Sequence, residues 1–364
     1  MRPRIEKKQS PLVKTLTRDY DYCTSKVIGE ALAKTDFIPS DDIKKRIKES
    51  AEYYGIGRVP VQAEFMIFAY EELNKNLKIT DDLIRQLQVL MVTIEMVQAY
   101  YFFSDDFEDN ATERLGKRCW HLLNNTGLLA YTDSCLMRSL IDEIVRQNFK
   151  GELRDHILSI YHKVYFMTTL GQYIETTTAR SRNYDTYTFQ LYETMNRLKS
   201  SPYAVKAPIL IALALSNKLN EESYNTVDKV GDDIGVLVQI HNDFIDYHIM
   251  EGTASGKTGN DVTQGKCSWV TLAVLERCNA EQLRLFKENY GSTDTDKLNR
   301  IRQLYKEMDV PKLYELEEKT RLNNFLKKVN ELPADSTPSA DFFKKFYNIF
   351  CSHSQDTTKF MYVV

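Results

Sequence analysis

The segment of residues 83–103 constrains the fold more than any other part of this sequence. It becomes apolar on every side, through Leu87, Val89, Leu90, Met91, Val92, Ile94, Met96 and Val97 to the aromatic run at 100–103. A helix that is apolar all round lies at the centre of a helical bundle. The segment ends in Asp105-Asp106-Phe107-Glu108-Asp109, so we predict that a central helix carries this acidic cluster to the mouth of the core.

A second long helix with the same organisation is predicted at residues 222–247. It ends in Asn242-Asp243-Phe244-Ile245-Asp246, and the loop that follows at 251–265 carries four of the 14 glycines. Further helices are predicted from the caps Ser40 and Thr80, after Pro60, at 151–179 and, with breaks, at 269–350. The pattern of the whole chain is therefore helical.

Composition agrees with an all-α fold. The chain has 364 residues, of which 43% are hydrophobic, and its 14 glycines and nine prolines are few for the many turns of a β-sandwich or barrel. No repeat or Pro/Gly/Ser linker divides it. We predict an all-α, single-domain helical bundle at residues 20–352, with an N-terminal extension at 1–19 and a C-terminal tail at 353–364.

Charge and cysteine usage exclude several classes of function. A formal net charge of −3 does not favour nucleic-acid binding, and no apolar run approaches the roughly 20 residues needed to span a bilayer. The six cysteines lie far apart, which indicates reduced thiols. The basic N-terminus has no apolar segment behind it, so we predict a cytoplasmic protein, with a short organelle presequence as the alternative.

The two acidic clusters have the spacing and chemistry of a magnesium site. Positions i and i+4 share one face of a helix, so Asp105 projects with Asp109 and Asn242 projects with Asp246. Asp106 and Asp243 lie beside these pairs, and we predict them as supporting metal ligands. Oxygen ligands suit Mg²⁺, which usually binds together with substrate phosphates and can make a diphosphate a leaving group. One such cluster could be a solvated helix end, but a second on another apolar helix favours the metal-binding interpretation.

Polar residues near both clusters extend the predicted site to a diphosphate. Gln239 and Gln98 lie on the helical faces of the clusters, and Arg114 follows the first cluster closely. Lys257 and Lys266 flank the glycine-rich loop after the second. Ammonium groups opposite metal-binding carboxylates would hold a diphosphate from both sides.

These residues resemble those of the trans-isoprenyl diphosphate synthase family, and of farnesyl diphosphate synthases in particular, from about residue 20 to about residue 350. The first cluster resembles the family's first aspartate-rich motif, with Gln98 before it and Arg114-Leu115-Gly116 after it. The second resembles the second motif, with Gly256-Lys257-Thr258-Gly259-Asn260-Asp261 after it. Gly171-Gln172 and Lys199-Ser200 also fall in family-like contexts, so the resemblance implies that Gln172, Lys199 and Ser200 bind substrate, with Lys199 among the cations that hold the diphosphate. The resemblance implies the class I isoprenoid synthase fold, three Mg²⁺ ions, a prenyl diphosphate substrate and a homodimer.

Departures from the family pattern concern the second substrate, isopentenyl diphosphate. The family's GGKxxRG-like stretch is read here as Gly57-Arg58-Val59-Pro60-Val61-Gln62-Ala63, which replaces its Lys and Arg with Val59 and Gln62, unless a shift lets Arg58 stand for the Lys. The second Arg of its Arg-Arg-Gly is Leu115, and the basic C-terminus is replaced by Cys351-Ser352-His353-Ser354. Each lost charge-assisted bond removes about 1.5–3 kcal/mol. The resemblance therefore implies that the allylic site is retained and the isopentenyl diphosphate site is weakened.

The resulting prediction is a terpene synthase, similar to the insect terpene synthases that resemble farnesyl diphosphate synthases without elongation. Asn242, where the synthases have Asp, also points this way. Tyr100 and Tyr101 stand where the family places the pocket floor, so we predict farnesyl diphosphate as the preferred substrate, with geranyl diphosphate as the alternative. Two other functions stay open, namely a farnesyl or geranyl diphosphate synthase and a non-catalytic partner subunit that binds prenyl diphosphate.

Overall fold

The computed structural model describes residues 10–75, 78–255 and 257–354, with side chains to residue 350. Sixteen α-helices are assigned in these residues: α1 Pro11–Arg18, α2 Tyr20–Lys34, α3 Asp41–Tyr53, α4 Val61–Leu73, α5 Asp81–Glu108, α6 Leu129–Asn148, α7 Gly151–Ser181, α8 Phe189–Lys199, α9 Ala207–Leu215, α10 Glu221–Met250, α11 Asp261–Gln264, α12 Trp269–Leu275, α13 Ala280–Asn289, α14 Thr295–Glu307, α15 Val310–Asn330 and α16 Ala340–Ser354. The all-α prediction is confirmed.

Helix α5 is the central helix that the sequence predicts. The Thr80 side chain accepts the amide N–H of Leu83 and so caps its N-terminus, as predicted. From residue 87 to residue 99 nearly every side chain is buried, because α4, α6 and α7 surround the helix. Asp105 lies within its last turn and Asp109 caps its C-terminus, so the first acidic cluster stands at the end of a rigid, buried rod.

Helix α10 carries the second acidic cluster and contributes to two groups of buried apolar side chains. The larger group surrounds α4, α5, α7 and α9, and the smaller one lies among α8, α12, α13, α14 and α15. Asn220 and Ser223 form a capping box at the start of α10. Because both groups of apolar residues pack on α10, its second half is held firmly against α8 and α12.

Three local features differ from the sequence prediction. Residues 11–18, predicted to belong to an extension, form α1, which packs on α4 and α5 because Leu12, Val13 and Leu16 line one face. Pro60 precedes α4 as its N-cap rather than opening it. Two short antiparallel strands, β1 Glu113–Arg114 and β2 Lys117–Arg118, follow the first cluster. The predicted domain boundaries stay a prediction.

No single helix in the described ranges is long and apolar enough to cross a membrane. The bent pair Phe189–Lys199 and Pro202–Leu215 reaches the required length and composition only when its two helices are taken together.

Candidate active site

One cavity opens between the ends of α5 and α10. Its empty space is about 930 Å³, counted with the open mouth. The following residues predicted from the sequence line it: Gln98, Tyr101, Asp105, Asp109, Arg114, Gln172, Lys199, Gln239, Asn242, Asp243, Asp246, Lys257 and Lys266. The fold therefore brings together both acidic clusters and every cation that the sequence assigns to diphosphate binding.

In the first cluster, Asp105 and Asp109 line the cavity, whereas Asp106 is buried behind them. Asp106 is only 1% exposed, and it accepts hydrogen bonds from Tyr54 at 2.7 Å and Arg114 at 2.8 Å. Arg114 also donates to Asp105 at 2.6 Å. Asp106 is not among the residues that line the cavity, and it helps to fix Arg114 beside Asp105. Its predicted contact with a metal stays a prediction.

The second cluster is ordered by hydrogen bonds from four segments of the chain. Asp243 accepts bonds from Gln239 at 2.8 Å, from the Tyr192 hydroxyl at 2.8 Å and from the Trp269 amide at 2.7 Å. Asp246 accepts the amide N–H groups of Asn260 and Asp261, both at 3.2 Å. The loop after α10 is thus anchored on the cluster itself.

Two partly buried lysines bind carboxylates across the cavity. Lys199, at the end of α8, binds Glu175 at 2.5 Å and Asp105 at 3.3 Å. Lys266 binds Asp109 and lies 3.7 Å from both Glu175 and Asp261. These pairs join α5, α7, α8 and the loop after α10 into one charged network.

Gly171 sets the position of Lys199. A Cβ at this glycine would lie 2.4 Å from the backbone nitrogen of Lys199 and 2.7 Å from its Cα, closer than real contacts allow. The missing side chain therefore lets α7 approach α8 until the Lys199 side chain reaches Asp105. A substitution here would push α8 outward and displace the ammonium group.

The loop that carries Lys257 is hydrogen-bonded to the strand that carries Arg114. The Thr258 hydroxyl accepts the amide N–H groups of Thr112 at 2.9 Å and Glu113 at 3.0 Å, and Arg114 and Lys257 form an antiparallel bridge. Lys257 then donates to the Asn242 side-chain oxygen at 2.8 Å. Gly256, part of the predicted loop motif, lies outside the described residues.

The carboxylates of the cavity outweigh its cations. Burial raises the pKa of Asp109 to about 6, and the nearby carboxylates of Asp105 and Glu175 add to this effect. Burial and then Asp246 raise the pKa of Asp261 to about 7. Burial alone would raise the pKa of Asp105 as well, but Lys199, Lys266 and Arg114 hold it well below its usual range. The other carboxylates repel one another, so an additional positive charge in the cavity would stabilise them.

The donor atoms fit Mg²⁺. Asp105, Asp109, Asn242 and Asp246 offer only oxygen atoms, which Mg²⁺ prefers, and the excess of negative charge matches a divalent cation. In the described part of the chain, no three His, Cys, Asp or Glu side chains already stand in the arrangement of a metal site. The ligand assignments therefore stay predictions.

We expect Mg²⁺ to raise the melting temperature, and to raise it more at pH 8 than at pH 5.5. A carboxyl whose pKa is raised on folding binds more protons in the folded state, so stability falls as pH rises from about 4, the pKa of unfolded Asp. The loss is complete above the folded pKa, about 6 for Asp109 and about 7 for Asp261. Added Mg²⁺ would replace these protons. Thermal unfolding with Mg²⁺ or with EDTA at the two pH values tests this, and equal shifts would contradict it.

Three predicted residues lie one layer behind the cavity wall. Tyr100 packs edge-on against Tyr101 and Tyr165, with ring centroids 4.9 and 5.6 Å away. Ser200 is fully buried and donates to the Gln239 side-chain oxygen at 2.7 Å. Asp106 is held as described above. Their predicted direct contacts with substrate or metal stay predictions, and in this structure each of the three contacts a residue that lines the cavity.

Two carboxylates of the network were not among the predicted site residues. Asp261 follows the second cluster in the family-like loop stretch, so the sequence contained a signal for it. Glu175 is an isolated acidic residue in the second half of α7, one turn after Gln172. Nothing in its local sequence distinguishes it from a surface glutamate. It becomes a site residue because Lys199 and Lys266 converge on it.

An all-α bundle with two facing acidic clusters around a lysine-lined cavity is the architecture of an isoprenoid synthase. The polyprenyl synthetase family matches residues 60–308. The chain belongs to this family, whose members act on prenyl diphosphates, and the resemblance seen in the sequence is confirmed.

The relatives of this chain include a chrysanthemol synthase and several farnesyl pyrophosphate synthases. A bifunctional chrysanthemol synthase of Tanacetum cinerariifolium is 30% identical over 323 residues, 86% of this chain and 81% of that protein. Human farnesyl pyrophosphate synthase is 26% identical over 333 residues, 91% of this chain and 76% of that protein. Further relatives from plants and cattle are named farnesyl pyrophosphate synthases. The solved structure of the Trypanosoma brucei farnesyl diphosphate synthase with risedronate shares the fold, with a TM-score of 0.80 at 22% identity over 93% of this chain and 98% of that one.

Proposed function

We propose that this protein ionises an allylic prenyl diphosphate in the cavity between α5 and α10. One observation carries the proposal. Lys199 binds Asp105 and Lys266 binds Asp109, so two cations lie directly beside the carboxylates of the first cluster. Such an arrangement suits a diphosphate, whose negative charge needs cations on every side in a buried cleft.

The proposed mechanism assigns each group a separate task. Asp105 and Asp109 from α5, and Asn242 and Asp246 from α10, would hold up to three Mg²⁺ ions. Bound Mg²⁺ neutralises the diphosphate and makes it a better leaving group. The cations Arg114, Lys199, Lys257 and Lys266 exchange their present carboxylate and amide partners for diphosphate oxygens. They would then stabilise the negative charge that builds up as the carbon–oxygen bond breaks.

The apolar end of the cavity would receive the prenyl chain and the resulting allylic cation. Tyr101, Phe102, Thr168 and Tyr203 are among the residues that line the cavity, and the Tyr101 hydroxyl donates to the Val164 carbonyl oxygen at 3.1 Å. Aromatic faces stabilise a cation by about 0.5–2 kcal/mol for each contact. A tyrosine fixed by its own hydrogen bond limits the depth of the cavity, which favours a farnesyl or geranyl chain over a longer one.

For the step after ionisation we propose terpene formation, in which the cation reacts with its own double bonds and loses a proton. The supporting observation is the state of Arg58, which the sequence left as the possible replacement for a missing lysine. Its side chain is 1% exposed and forms an ion pair of 2.5 Å with the buried Glu95. Val59 and Leu115 pack against the apolar core, so neither offers a positive charge to a second diphosphate.

Chain elongation with isopentenyl diphosphate is the second candidate, and the names of most relatives favour it over terpene formation. One local observation also supports it. Lys117 lies near Gly57, where its ammonium group donates to the carbonyl oxygens of Tyr53 at 3.1 Å and Ile56 at 3.2 Å. This lysine could take the place of one missing cation. A non-catalytic subunit is disfavoured, because five of the six predicted metal-ligand side chains, all except Asp106, line the cavity.

A product assay distinguishes the two reactions. Purified protein with Mg²⁺ receives farnesyl or geranyl diphosphate, with or without isopentenyl diphosphate, and both volatile terpenes and longer diphosphates are analysed. We expect a terpene hydrocarbon or alcohol without isopentenyl diphosphate, and no elongated product with it. Elongated diphosphate as the main product would establish the second candidate instead.

We further propose a homodimer formed through the hairpin of α6 and α7. Large apolar side chains are exposed on its two arms: Leu128, Leu129, Tyr131, Phe166, Leu170 and Tyr173. Only residues 149 and 150 separate α6 from α7 in the chain, and the two helices are in contact. An exposed apolar surface of this kind is typical of a protein interface.

Charge introduced into this surface is expected to separate the dimer. Phe166 is 68% exposed, and Phe166→Glu would bury an unpaired carboxylate in the interface. Light scattering after gel filtration should report a dimer for the unmodified protein and a monomer for the variant. Leu316→Glu, at a position 57% exposed on α15, is the matched control and should remain dimeric. A variant at Phe166 that stays dimeric would place the interface elsewhere.

The cytoplasmic location predicted from the sequence stays a prediction. The related chrysanthemol synthase of Tanacetum cinerariifolium is named as a chloroplastic protein, and a short organelle presequence stays the alternative proposal for this chain.

A further inference from the structure

A buried lysine lies outside the active-site cavity, on the segment that joins α8 to α9. This segment contains a π-helix, Pro202–Lys206, in which every residue is buried and the Ala207 N–H donates to the Pro202 carbonyl oxygen. Short π-helical turns within α-helical segments are frequent at functional sites. The π-helix begins three residues after Lys199, whose ammonium group binds Asp105 in the cavity. The position of the π-helix therefore bears on the position of Lys199.

Lys206, the last residue of the π-helix, is bound to two carboxylates of α10. Its side chain is 6% exposed. The ammonium group donates to Asp228 at 2.7 Å and lies 2.7 Å from an oxygen of Asp232. The two aspartates are four residues apart and share one face of α10. A buried ammonium group is costly without such partners, so the pairing fixes the end of the π-helix to a defined turn of α10.

Two glycines bring α10 close to the same segment. A Cβ at Gly235 would lie 2.5 Å from the Cα of Ser201, and a Cβ at Gly231 would lie 3.0 Å from the Cγ of Lys206. Both distances are shorter than ordinary contacts, so this face of α10 packs directly on the backbone and on the lysine stem. The ion pair and the glycines thus act at the same contact between helices.

The same two segments meet again at the active site. The Ser200 hydroxyl donates to the Gln239 side-chain oxygen at 2.7 Å, and Gln239 donates to Asp243 of the second cluster at 2.8 Å. Ser200 directly follows Lys199 in the chain. A shift of the π-helix along α10 would therefore move Lys199 and Ser200 together relative to the second cluster.

A neighbouring ion pair on α10 provides a comparison. Asp233, the residue after Asp232, lies 2.6 Å from Lys328 of α15. Consecutive residues of an α-helix point about 100° apart, so the two aspartates face different neighbours. The Asp233 pair joins α10 to α15, whereas the Asp232 pair joins α10 to the segment that carries Lys199. Only the second of these has a direct connection to the proposed diphosphate site.

We propose that Lys206 is a positioning residue for ionisation of the allylic diphosphate. Through Asp228 and Asp232 it holds the π-helix in register with α10, and so holds Lys199 where it meets the diphosphate. Lys206 does not line the active-site cavity, so it acts through Lys199 and Ser200 and not on the substrate. The inference rests on the proposed ionisation of a prenyl diphosphate and applies to terpene formation and to elongation alike.

The test separates the position of Lys199 from the stability of the fold. The complete protein receives Mg²⁺, isopentenyl diphosphate and farnesyl or geranyl diphosphate, so that either proposed reaction releases pyrophosphate. Lys206→Met keeps the apolar stem and removes the ammonium group. We expect kcat to fall roughly tenfold, because small displacements of a catalytic group cost one to two orders of magnitude in rate. The KM for the allylic diphosphate should stay within about twofold, since the loss concerns the transition state.

Two further variants show whether the charge is responsible. Lys206→Arg keeps a cation that can reach both carboxylates, and its kcat should stay within about threefold of the unmodified protein. Lys328→Met is the matched control, because it removes the ammonium group from the adjacent aspartate of α10. Its melting temperature should fall as that of Lys206→Met does, while its kcat stays within about twofold.

A milder pair of variants serves if circular dichroism shows that Lys206→Met does not fold. Asp232→Asn leaves Asp228 to bind Lys206, and its kcat should fall by about threefold. Asp233→Asn, at the next position of the same helix, should leave kcat unchanged.

Three results would overturn the assignment of Lys206. These are a folded Lys206→Met with normal kcat, a Lys206→Arg as slow as Lys206→Met, and a Lys328→Met or Asp233→Asn that loses as much kcat as its counterpart. Unmodified protein that releases no pyrophosphate from any of the substrates would instead overturn the proposed function. Normal release that the variants leave unchanged would overturn the role of Lys206 alone.

Discussion

Replacing Asp105 with Asn is expected to lower kcat for farnesyl diphosphate consumption by roughly 10²–10³-fold or more. Asp105 lies where the cavity cations converge, 2.6 Å from Arg114 and 3.3 Å from Lys199. These cations hold its pKa well below the usual range, so it is ionised at every working pH. Asn keeps the size and one oxygen of the side chain but removes the charge that Mg²⁺ requires. Release of inorganic pyrophosphate measures the effect.

The control for this variant lies on the same helix. Asp82→Asn changes an equivalent side chain in the exposed first turn of α5, where Asp82 accepts a hydrogen bond from Gln86 at 3.0 Å. Its kcat should remain within about twofold of the unmodified protein, since surface substitutions of this kind change little. An Asp105→Asn enzyme that keeps more than a tenth of its kcat would refute the metal assignment of the first cluster.

The parts of the fold that were predictable from the sequence depend on local signals. Helix α5 was predicted from its Thr80 cap and from its apolar residues on every side. The two acidic clusters were predictable for the same reason, because helical spacing alone places Asp105 with Asp109 and Asn242 with Asp246. That both clusters contribute to one site was predicted from the chemistry they share, and the family resemblance supported it.

The parts that escaped prediction depend on contacts between distant segments. Tyr54 and Asp106 are separated by 52 positions, and their hydrogen bond removes Asp106 from the cavity wall. Arg58 and Glu95, which also form a pair, are 37 positions apart. Glu175 has no motif around it, and its role depends on how closely Gly171 lets α7 approach α8. Single charged residues carry no periodic signal, so only packing reveals their partners.

Lys266 has the largest number of carboxylate partners in the cavity. Its ammonium group binds Asp109 and lies 3.7 Å from both Glu175 and Asp261. Burial alone would lower its pKa, but these carboxylates raise it well above the ordinary value, so the group stays charged. Lys266 therefore holds together three negative charges that would otherwise repel one another, and it would meet the leaving diphosphate during ionisation.

Replacing Lys266 with Met is accordingly expected to lower kcat for farnesyl diphosphate by roughly 10²–10³-fold. Met preserves the apolar stem and removes the ammonium group, and steady-state release of inorganic pyrophosphate measures the loss. Without this cation the neighbouring carboxyls take up protons on folding, so the melting temperature of the metal-free variant should fall more steeply with rising pH than that of the unmodified protein.

Lys287→Met is the matched control, because Lys287 pairs with Asp185 at 2.5 Å outside the cavity, in an exposed ion pair of the kind that contributes at most about 1 kcal/mol. Its kcat and its pH dependence should match those of the unmodified protein. A Lys266→Met enzyme within fivefold of normal kcat would remove Lys266 from the proposed diphosphate site. A normal pH profile with a large loss of kcat would instead assign Lys266 to the ionisation step alone and not to the cohesion of the cavity.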